Sequence, residues 1–159
     1  MPSVLLMTGD QGRHRFVAHR LASRLNLVGI VSEAKPALPA GESRQDGDVL
    51  ARHFAERDAA ELLWLEQHNA FPDVPLREIA NGAVNTGENF DWVKSRNADV
   101  VVLYGTGLIR EPLLSVCGRM INLHLGLSPW YRGAGTNFWP FVHDQPECVG
   151  ATIHIVAAE

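Results

Sequence analysis

The sequence predicts one α/β domain built around a doubly wound, mostly parallel sheet. The chain has 159 residues, of which 46% are hydrophobic, so it can bury one core but is too short to divide into two domains. Short runs rich in Val, Ile and Leu alternate along it with longer segments whose apolar residues recur at helical spacing. Such alternation is typical of strands joined by crossover helices.

The first elements are clear from these patterns. Residues 3–8 form an apolar strand that ends at Gly9, and apolar positions at helical spacing follow over residues 13–26. Residues 27–32, with the sequence LVGIVS, form a continuous β-branched run, which favours a strand buried on both faces of a parallel sheet. We therefore expect a strand, a helix and a second strand.

The next segment is less regular. Residues 33–47 contain Pro36, Pro39 and Gly41 and are predicted to form a surface loop. A long amphipathic helix is predicted over residues 48–69, because apolar residues recur there between charged ones. Residues 74–79 follow two prolines and are predicted to form a short edge strand.

The second half continues the alternation. Residues 89–96 are predicted to be a short helix, and residues 99–104 (DVVVLY) a central strand. One or two helical turns are expected over residues 111–116. The remaining predicted elements are a strand at 120–124, a helix at 136–143 and a last strand at 150–156. The order of these elements predicts a Rossmann-like topology.

Charge and hydropathy exclude several classes of protein. The net charge is −4, with acidic and basic residues mixed along the chain, so no basic face for nucleic acid is expected from this domain alone. No run approaches the roughly 20 apolar residues of a membrane span, and the amino terminus lacks the basic region of a signal peptide. We expect a soluble, cytoplasmic protein with no membrane partner.

Cysteine and histidine spacing predicts no metal site. Cys117 and Cys148 lack the spacing of a zinc site or a disulfide framework and are predicted to be ordinary buried thiols. Several histidines fall on predicted helices or their ends without ligand spacing, namely His14, His19, His53, His68 and His143.

The candidate chemistry lies where predicted strands end. Ligands of parallel sheets bind at the carboxyl ends of the strands, and residues 8–13, 104–110 and 122–136 follow or span such ends. Asn122 and His124 are one residue apart on a strand, so their side chains point to the same side. Such a pair is either a hydrogen-bonded structural pair or part of a pocket.

Three sequence blocks carry a resemblance to a known family. Residues 121–133 (INLHLGLSPWYRG) resemble the N-x-H-x-S-L-L-P-x-x-x-G signature of the folate-dependent formyltransferases, which include methionyl-tRNA formyltransferase, glycinamide ribonucleotide transformylase and sugar N-formyltransferases. Residues 150–155 (GATIHI) resemble the G-x-T-x-H strand of that family, and residues 101–105 (VVLYG) resemble the strand and glycine that open its folate pocket. The resemblance implies a Rossmann-like formyltransferase domain over residues 1–159.

The resemblance implies a role for the Asn–His pair in formyl transfer. An amine of an acceptor, such as an amino sugar, a nucleotide or an aminoacyl group, would attack the formyl carbon of 10-formyltetrahydrofolate, the co-substrate. Asn122 would donate its amide to the formyl oxygen, while His124 would stabilise the oxyanion and transfer a proton. Removing one such donor costs on the order of 3 kcal/mol, or about a hundredfold in rate.

Other residues are implied in binding. The folate pocket would use Leu103, Tyr104, Gly105, Gly107, Leu108 and Ile109, with the two glycines allowing close backbone approach. A plain strand-to-helix turn also explains those glycines. Candidate residues for the acceptor are Trp130, Tyr131, Arg132, Gly9 and Gly12, of which the glycines would bind an anionic group at a helix amino terminus. The nearby Phe138, Trp139 and Phe141 are expected to lie mostly in the core.

The sequence departs from the family pattern at two places. Gly126 stands where the family has serine, and Ser128 is instead next to Pro129. The family's third catalytic residue, an aspartate of a D-x-G segment, is expected just beyond Glu159. We therefore expect the catalytic domain to be incomplete at its C-terminal end and this chain to transfer formyl very slowly. The alternatives are a non-catalytic module that binds folate or a nucleotide, and a hydrolase that releases formate from the same co-substrate.

Overall fold

The centre of the molecule is a six-stranded sheet, and the computed structural model describes residues 1–35, 44–65, 68–133 and 136–156. The strands are β1 (Ser3–Gly9), β2 (Asn26–Glu33), β3 (Leu76–Ile79), β4 (Val100–Tyr104), β5 (Met120–His124) and β6 (Thr152–Ile155). They lie in the order β3-β2-β1-β4-β5-β6. All neighbours pair in parallel except β5 and β6, which are antiparallel. The predicted doubly wound, mostly parallel sheet is confirmed.

Helices connect the strands. They are α1 (Gly12–Ala22), α2 (Arg44–Trp64), α3 (Gly87–Ser95) and α4 (Trp139–Val142), with short 3₁₀ turns at Leu113–Ser115 and Pro146–Cys148. The predicted helices are thus confirmed in kind. The one or two turns expected at 111–116 are a single 3₁₀ turn, whereas the helix expected at 136–143 is shorter than predicted, with four residues.

The long helix differs from its prediction at both ends. It begins at Arg44, inside the segment predicted to be a loop, because Gly47 is tolerated within a helix at a cost of about 1 kcal/mol. It ends at Trp64, before the predicted end at residue 69. The prolines and the glycine that carried the loop prediction, at positions 36, 39 and 41, lie outside the described residues.

Two apolar clusters cover opposite faces of the sheet. One contains Leu5, Met7 and Leu103 and packs against α3 through Val93. The other contains Leu6 and Tyr104 and packs against α1 through Ala18. Because residues alternate between faces along each strand, neighbouring strand residues belong to different clusters.

The apolar residues near the end of α2 do not join either cluster. Leu62, Leu63 and Trp64, near the end of the predicted amphipathic helix, are largely exposed. An ion pair between Arg13 and Glu61, with 2.7 Å between Nη1 and Oε1, connects α1 to α2. No helix among the described residues is long and apolar enough to cross a membrane.

Candidate active site

Asn122 and His124 lie at the carboxyl end of β5, on the same face of the sheet. Met120, two residues earlier on that face, is buried in the cluster packed against α3. Both polar side chains are half-buried, so the strand changes from apolar to polar as it reaches its end. β5 is the fifth strand of six in spatial order, and its outer neighbour β6 is the edge strand.

The antiparallel strand β6 places two more polar side chains beside this pair. Its register pairs Asn122 with His154 and His124 with Thr152. Asn122 Nδ2 donates to His154 Nε2 over 3.2 Å, which uses one of the two amide hydrogens. The two histidines and the amide therefore belong to one polar surface, and that surface joins the N-x-H and G-x-T-x-H blocks.

The loop after β5 is fastened to both strands. Thr152 Oγ1 donates to Gly126 O over 2.6 Å and accepts from Ser128 N over 3.0 Å. A side chain at position 126 would collide with Thr136, since an added Cβ would lie 2.6 Å from its Cβ. The glycine that departs from the family signature is thus required by a close approach.

His124 is oriented by this loop. Its Nε2 donates to the backbone carbonyl of Tyr131 over 3.0 Å. Since a carbonyl can only accept, the neutral ring carries its proton on Nε2 and a lone pair on Nδ1. His124 therefore has a defined tautomer in which Nδ1 is the proton-accepting atom.

The predicted co-substrate residues divide into buried and exposed ones. Leu103, Tyr104 and Ile109 are buried in the apolar clusters, with Leu103 and Tyr104 on opposite faces of β4. Leu108 is 73% exposed and is the apolar side chain that the loop offers to a ligand. Gly105 has a φ of +70°, a conformation that favours glycine.

Two side chains that sequence reasoning missed hold this loop. The buried carboxylate of Glu33, at the end of β2, accepts from Gly107 N over 3.1 Å and from Gly82 N over 2.9 Å. Asn85 donates to Leu108 O and accepts from Arg110 N, both over 2.8 Å. No residue pattern marks these roles, because both depend on the approach of segments distant in sequence.

A cleft of about 310 Å³ lies beside the loop. It is lined by Glu33, Lys35, Asn81, Gly82, Val84, Asn85, Thr106, Gly107, Leu108 and Arg110. Lys35 also donates to the carbonyl of Gly105. The cleft therefore adjoins the exposed part of the predicted folate loop.

A buried histidine, for which the sequence predicted no role, lies in the first turn of α1. His14 is 2% exposed, and its Nδ1 accepts from Gln11 N over 3.0 Å. Burial, followed by the charges of Arg13, Lys35, Arg15 and Arg57, lowers the pKa of His14 from 6.5 to about 3. The ring is therefore neutral at physiological pH.

His14 also connects two of the predicted ligand loops. An added Cβ at Gly9 would lie 2.7 Å from Cε1 of the ring, and one at Gly105 would lie 2.7 Å from Nε2. Both glycines thus allow the imidazole to fit between the ends of β1 and β4. At Gly12, by contrast, an added Cβ meets nothing within 4 Å, so the start of α1 is open.

The aromatic residues after β5 are arranged differently from the expectation. Tyr131 is buried at 7% exposure, whereas Trp130 is 75% exposed. Phe138, Trp139 and Phe141 are also substantially exposed, so the expectation that they lie mostly in the core is wrong. Arg132 is exposed as well.

The cysteines also differ from the expectation. Cys117 and Cys148 are free but only half-buried, so the prediction of buried thiols is wrong. Cys148 lies in the 3₁₀ turn Pro146–Cys148, and Cys117 packs against the edge of the cluster that contains Leu103. Among the described residues, no group of three or more His, Cys, Asp or Glu side chains could hold a metal ion.

Comparison with known proteins identifies the fold. No family model matches the chain. A phosphoribosylglycinamide formyltransferase from Anaplasma phagocytophilum superposes with a TM-score of 0.61 and 16% identity, over 99% of this chain and 65% of that one. The chain has the formyltransferase fold.

Other structures with this fold are similar to the same degree. A glycinamide ribonucleotide transformylase from Symbiobacterium toebii gives a TM-score of 0.62 at 16% identity, over all of this chain and 68% of that one. A formyltetrahydrofolate deformylase from Pseudomonas syringae gives 0.58 at 20% identity, over 99% of this chain and 47% of that one. The chain thus spans between about half and two thirds of the length of these formyltransferase-fold proteins.

Proposed function

We propose that this chain is the catalytic part of an enzyme that transfers a formyl group from 10-formyltetrahydrofolate to an amine. The observation that carries the proposal is the contact between Asn122 and His154. It joins two sequence blocks, each of which resembles the formyltransferase signature, on one face at the end of β5. We propose a cytoplasmic location on the charge and hydropathy of the sequence.

In the proposed reaction, Asn122 stabilises charge that develops during amine attack. One amide hydrogen is used by His154, and the other is free to be donated to the formyl oxygen. A donor already aimed by a neighbour requires little reorganisation when the oxyanion forms, which is why such donors favour the transition state over the ground state. His124 accepts the amine proton and returns it to the leaving nitrogen of the folate.

We assign co-substrate binding to the loop after β4. Gly105, Gly107 and Leu108 present backbone groups and one exposed apolar side chain, while Leu103, Tyr104 and Ile109 support the loop from the core. The rigid anchoring of this loop supports the assignment, because a flat ring is best bound by groups that are already in position.

We assign the acceptor to two segments that follow the carboxyl ends of parallel strands, the loop after β5 and the start of α1 after β1. Trp130 and Arg132 are exposed on the loop after β5, and Gly9 and Gly12 border the open start of α1. Tyr131 supports that loop from within. The proposed acceptor is a small amine.

A second candidate function is hydrolysis of the same co-substrate. The similarity to a formyltetrahydrofolate deformylase at a TM-score of 0.58 favours it, since water could replace the amine in the same site. The two functions differ in one measurable respect, which is whether tetrahydrofolate release depends on an added amine.

Calorimetry and a release assay test the proposal. We expect 5-formyltetrahydrofolate to bind the folded chain, and we expect tetrahydrofolate release to require an amine. In an active form of the protein, Asn122→Ala or His124→Ala should reduce turnover by about a hundredfold while changing folate affinity much less.

The matched control is Asn69→Ala, an exposed asparagine outside the site. It should leave turnover unchanged. Release at equal rates with and without amine would indicate the hydrolase, and absence of folate binding by the folded chain would rule out both functions.

A further inference from the structure

Tyr131 is held at both ends. Its backbone carbonyl accepts from His124 Nε2 over 3.0 Å, and its hydroxyl donates to Gln145 Oε1 over 2.7 Å. The hydroxyl oxygen also lies 3.2 Å from Nδ1 of His143. Because the single hydroxyl hydrogen is donated to Gln145, the oxygen accepts a hydrogen bond from the Nδ1–H of His143. The side chain and the carbonyl of one residue thus contact two separate parts of the chain.

The segment that holds the hydroxyl is short and comes later in the sequence. His143 follows α4, and its ring stacks against that of Tyr131 with 5.9 Å between centroids. Tyr131 N donates to Leu127 O over 2.9 Å, which fixes the backbone on the other side. With 7% exposure, the tyrosine cannot move away without breaking these contacts.

We propose that Tyr131 is a positioning residue that selects the tautomer of His124, with His143 and Gln145 holding it in place. Its carbonyl keeps the proton on Nε2 and leaves Nδ1 as the base. The mechanistic meaning of this role rests on the proposed function. As the amine forms its bond to the formyl carbon, its proton passes to Nδ1, and it then moves to the folate nitrogen as the old carbon–nitrogen bond breaks.

The carbonyl also has a role after the proton arrives. The imidazolium then carries N–H groups at both nitrogens, and the Tyr131 carbonyl accepts the one at Nε2. A hydrogen-bond acceptor at the nitrogen that does not take up the proton both orients a histidine base and stabilises its charged form. Here the acceptor is a backbone carbonyl, which no substitution removes. A substitution can change its position only by altering the Tyr131 side chain that holds the backbone in place.

Nitrogen-15 NMR of the His124 ring in the 159-residue chain tests the tautomer without any folate. We expect the neutral ring to carry its proton on Nε2 in the parent chain. Tyr131→Phe keeps the ring packing but removes both hydroxyl contacts, so the spectrum should change to a mixture of tautomers. Glu147→Gln, an exposed change on the same segment, should leave the spectrum unchanged.

A double variant covers the case in which Tyr131→Phe does not fold. His143→Ala combined with Gln145→Ala removes the same two contacts from the other side and should give the same mixture. An unchanged tautomer in either folded variant, or an Nδ1-protonated ring in the parent chain, would overturn the proposal.

Kinetics separate this inference from the proposed function. In an active form of the protein, Tyr131→Phe should lower kcat by about tenfold with little change in KM for the folate, since general acid–base catalysis is the step affected. A shifted tautomer in a protein that binds no folate would leave the positioning role intact and reject the formyl transfer. Unchanged kcat in an active enzyme would reject the catalytic meaning of the positioning.

Discussion

The two sides of the sheet are built in different ways. β1 lies between two parallel neighbours, and its residues from Val4 to Gly9 are buried. β6 lies at the edge, and its residues from Ile153 to Ile155 are exposed. The first region contributes to stability and the second contains the proposed site, because polar side chains that would act on a ligand cannot be enclosed in an apolar core.

The difference follows from what covers each strand. α1 and α3 pack on opposite faces near β1, whereas the exposed Ile153 and Ile155 of β6 have no such cover among the described residues. Substitutions should therefore affect folding strongly on one side and weakly on the other. Four experiments examine that contrast, beginning with the largest expected effect.

The first compares two apolar side chains of similar size. Leu5 is fully buried in β1 and Ile153 is 72% exposed in β6. Leu5→Ala should lower the free energy of unfolding by about 3 kcal/mol, since it removes buried methyl groups and leaves a cavity. Ile153→Ala should change it by less than about 0.5 kcal/mol. Urea denaturation measures both, and similar losses would contradict the contrast.

The second concerns the glycines at positive φ. Gly105→Ala would place a methyl group 2.7 Å from Nε2 of His14, whereas Gly82→Ala meets nothing within 4 Å at a similar φ of +81°. Both substitutions incur roughly 1 kcal/mol of backbone strain. Gly105→Ala should lose about 1–3 kcal/mol more, because it also overpacks the site between β1 and β4. Equal losses of stability for the two variants in thermal unfolding would mean that the His14 side chain moves away from the new methyl group at little cost.

The third uses the lowered pKa of His14. Between about pH 6.5 and about pH 3, the unfolded histidine binds a proton that the folded one does not, so stability rises with pH in that range. His14 contributes a slope of up to about 1.4 kcal/mol of unfolding free energy per pH unit in that range, and this slope falls to zero above about pH 6.5. His14→Gln should therefore flatten the plot of unfolding free energy against pH from 6 to 4. A parallel plot for the variant would show that the buried histidine is not responsible.

The fourth and smallest effect is expected at the polar surface itself. His154→Ala removes an exposed ring whose contact with Asn122 is 3.2 Å long. Its effect on the free energy of unfolding should be below about 0.5 kcal/mol, as for most exposed positions. A loss of several kcal/mol would show that the edge strands contribute to the core after all.

The fold could be predicted because periodicity reports burial directly. The run at 27–32 was predicted to be buried on both faces, and β2 is almost entirely buried there. The pair Asn122 and His124 was predicted to share a face, and the register of β5 against β6 confirms it. Local alternation is sufficient for such predictions, since it depends only on strand geometry.

The contacts that organise the site could not be predicted in the same way. Glu33 and Asn85 accept from or donate to backbone groups that are distant in the sequence, and His14 lies close to Gly105 at the end of β4; no pattern around these residues signals it. The exposure of the aromatic residues after β5 could not be predicted either. Hydrophobicity favours burial, whereas the actual exposure depends on which element covers each side chain. Tertiary packing determines both the long-range contacts of the candidate site and the exposure of its aromatic side chains.

The antiparallel pairing of β5 and β6 has a consequence for the order of assembly. Asn122 and His154 are separated by 32 positions, whereas the hydroxyl of Thr8 donates to Tyr104 across 96 positions to join β1 to β4. Closing the longer loop costs roughly 1 kcal/mol more in chain entropy. The strands of the candidate site therefore meet each other at a lower entropic cost than β1 and β4 do.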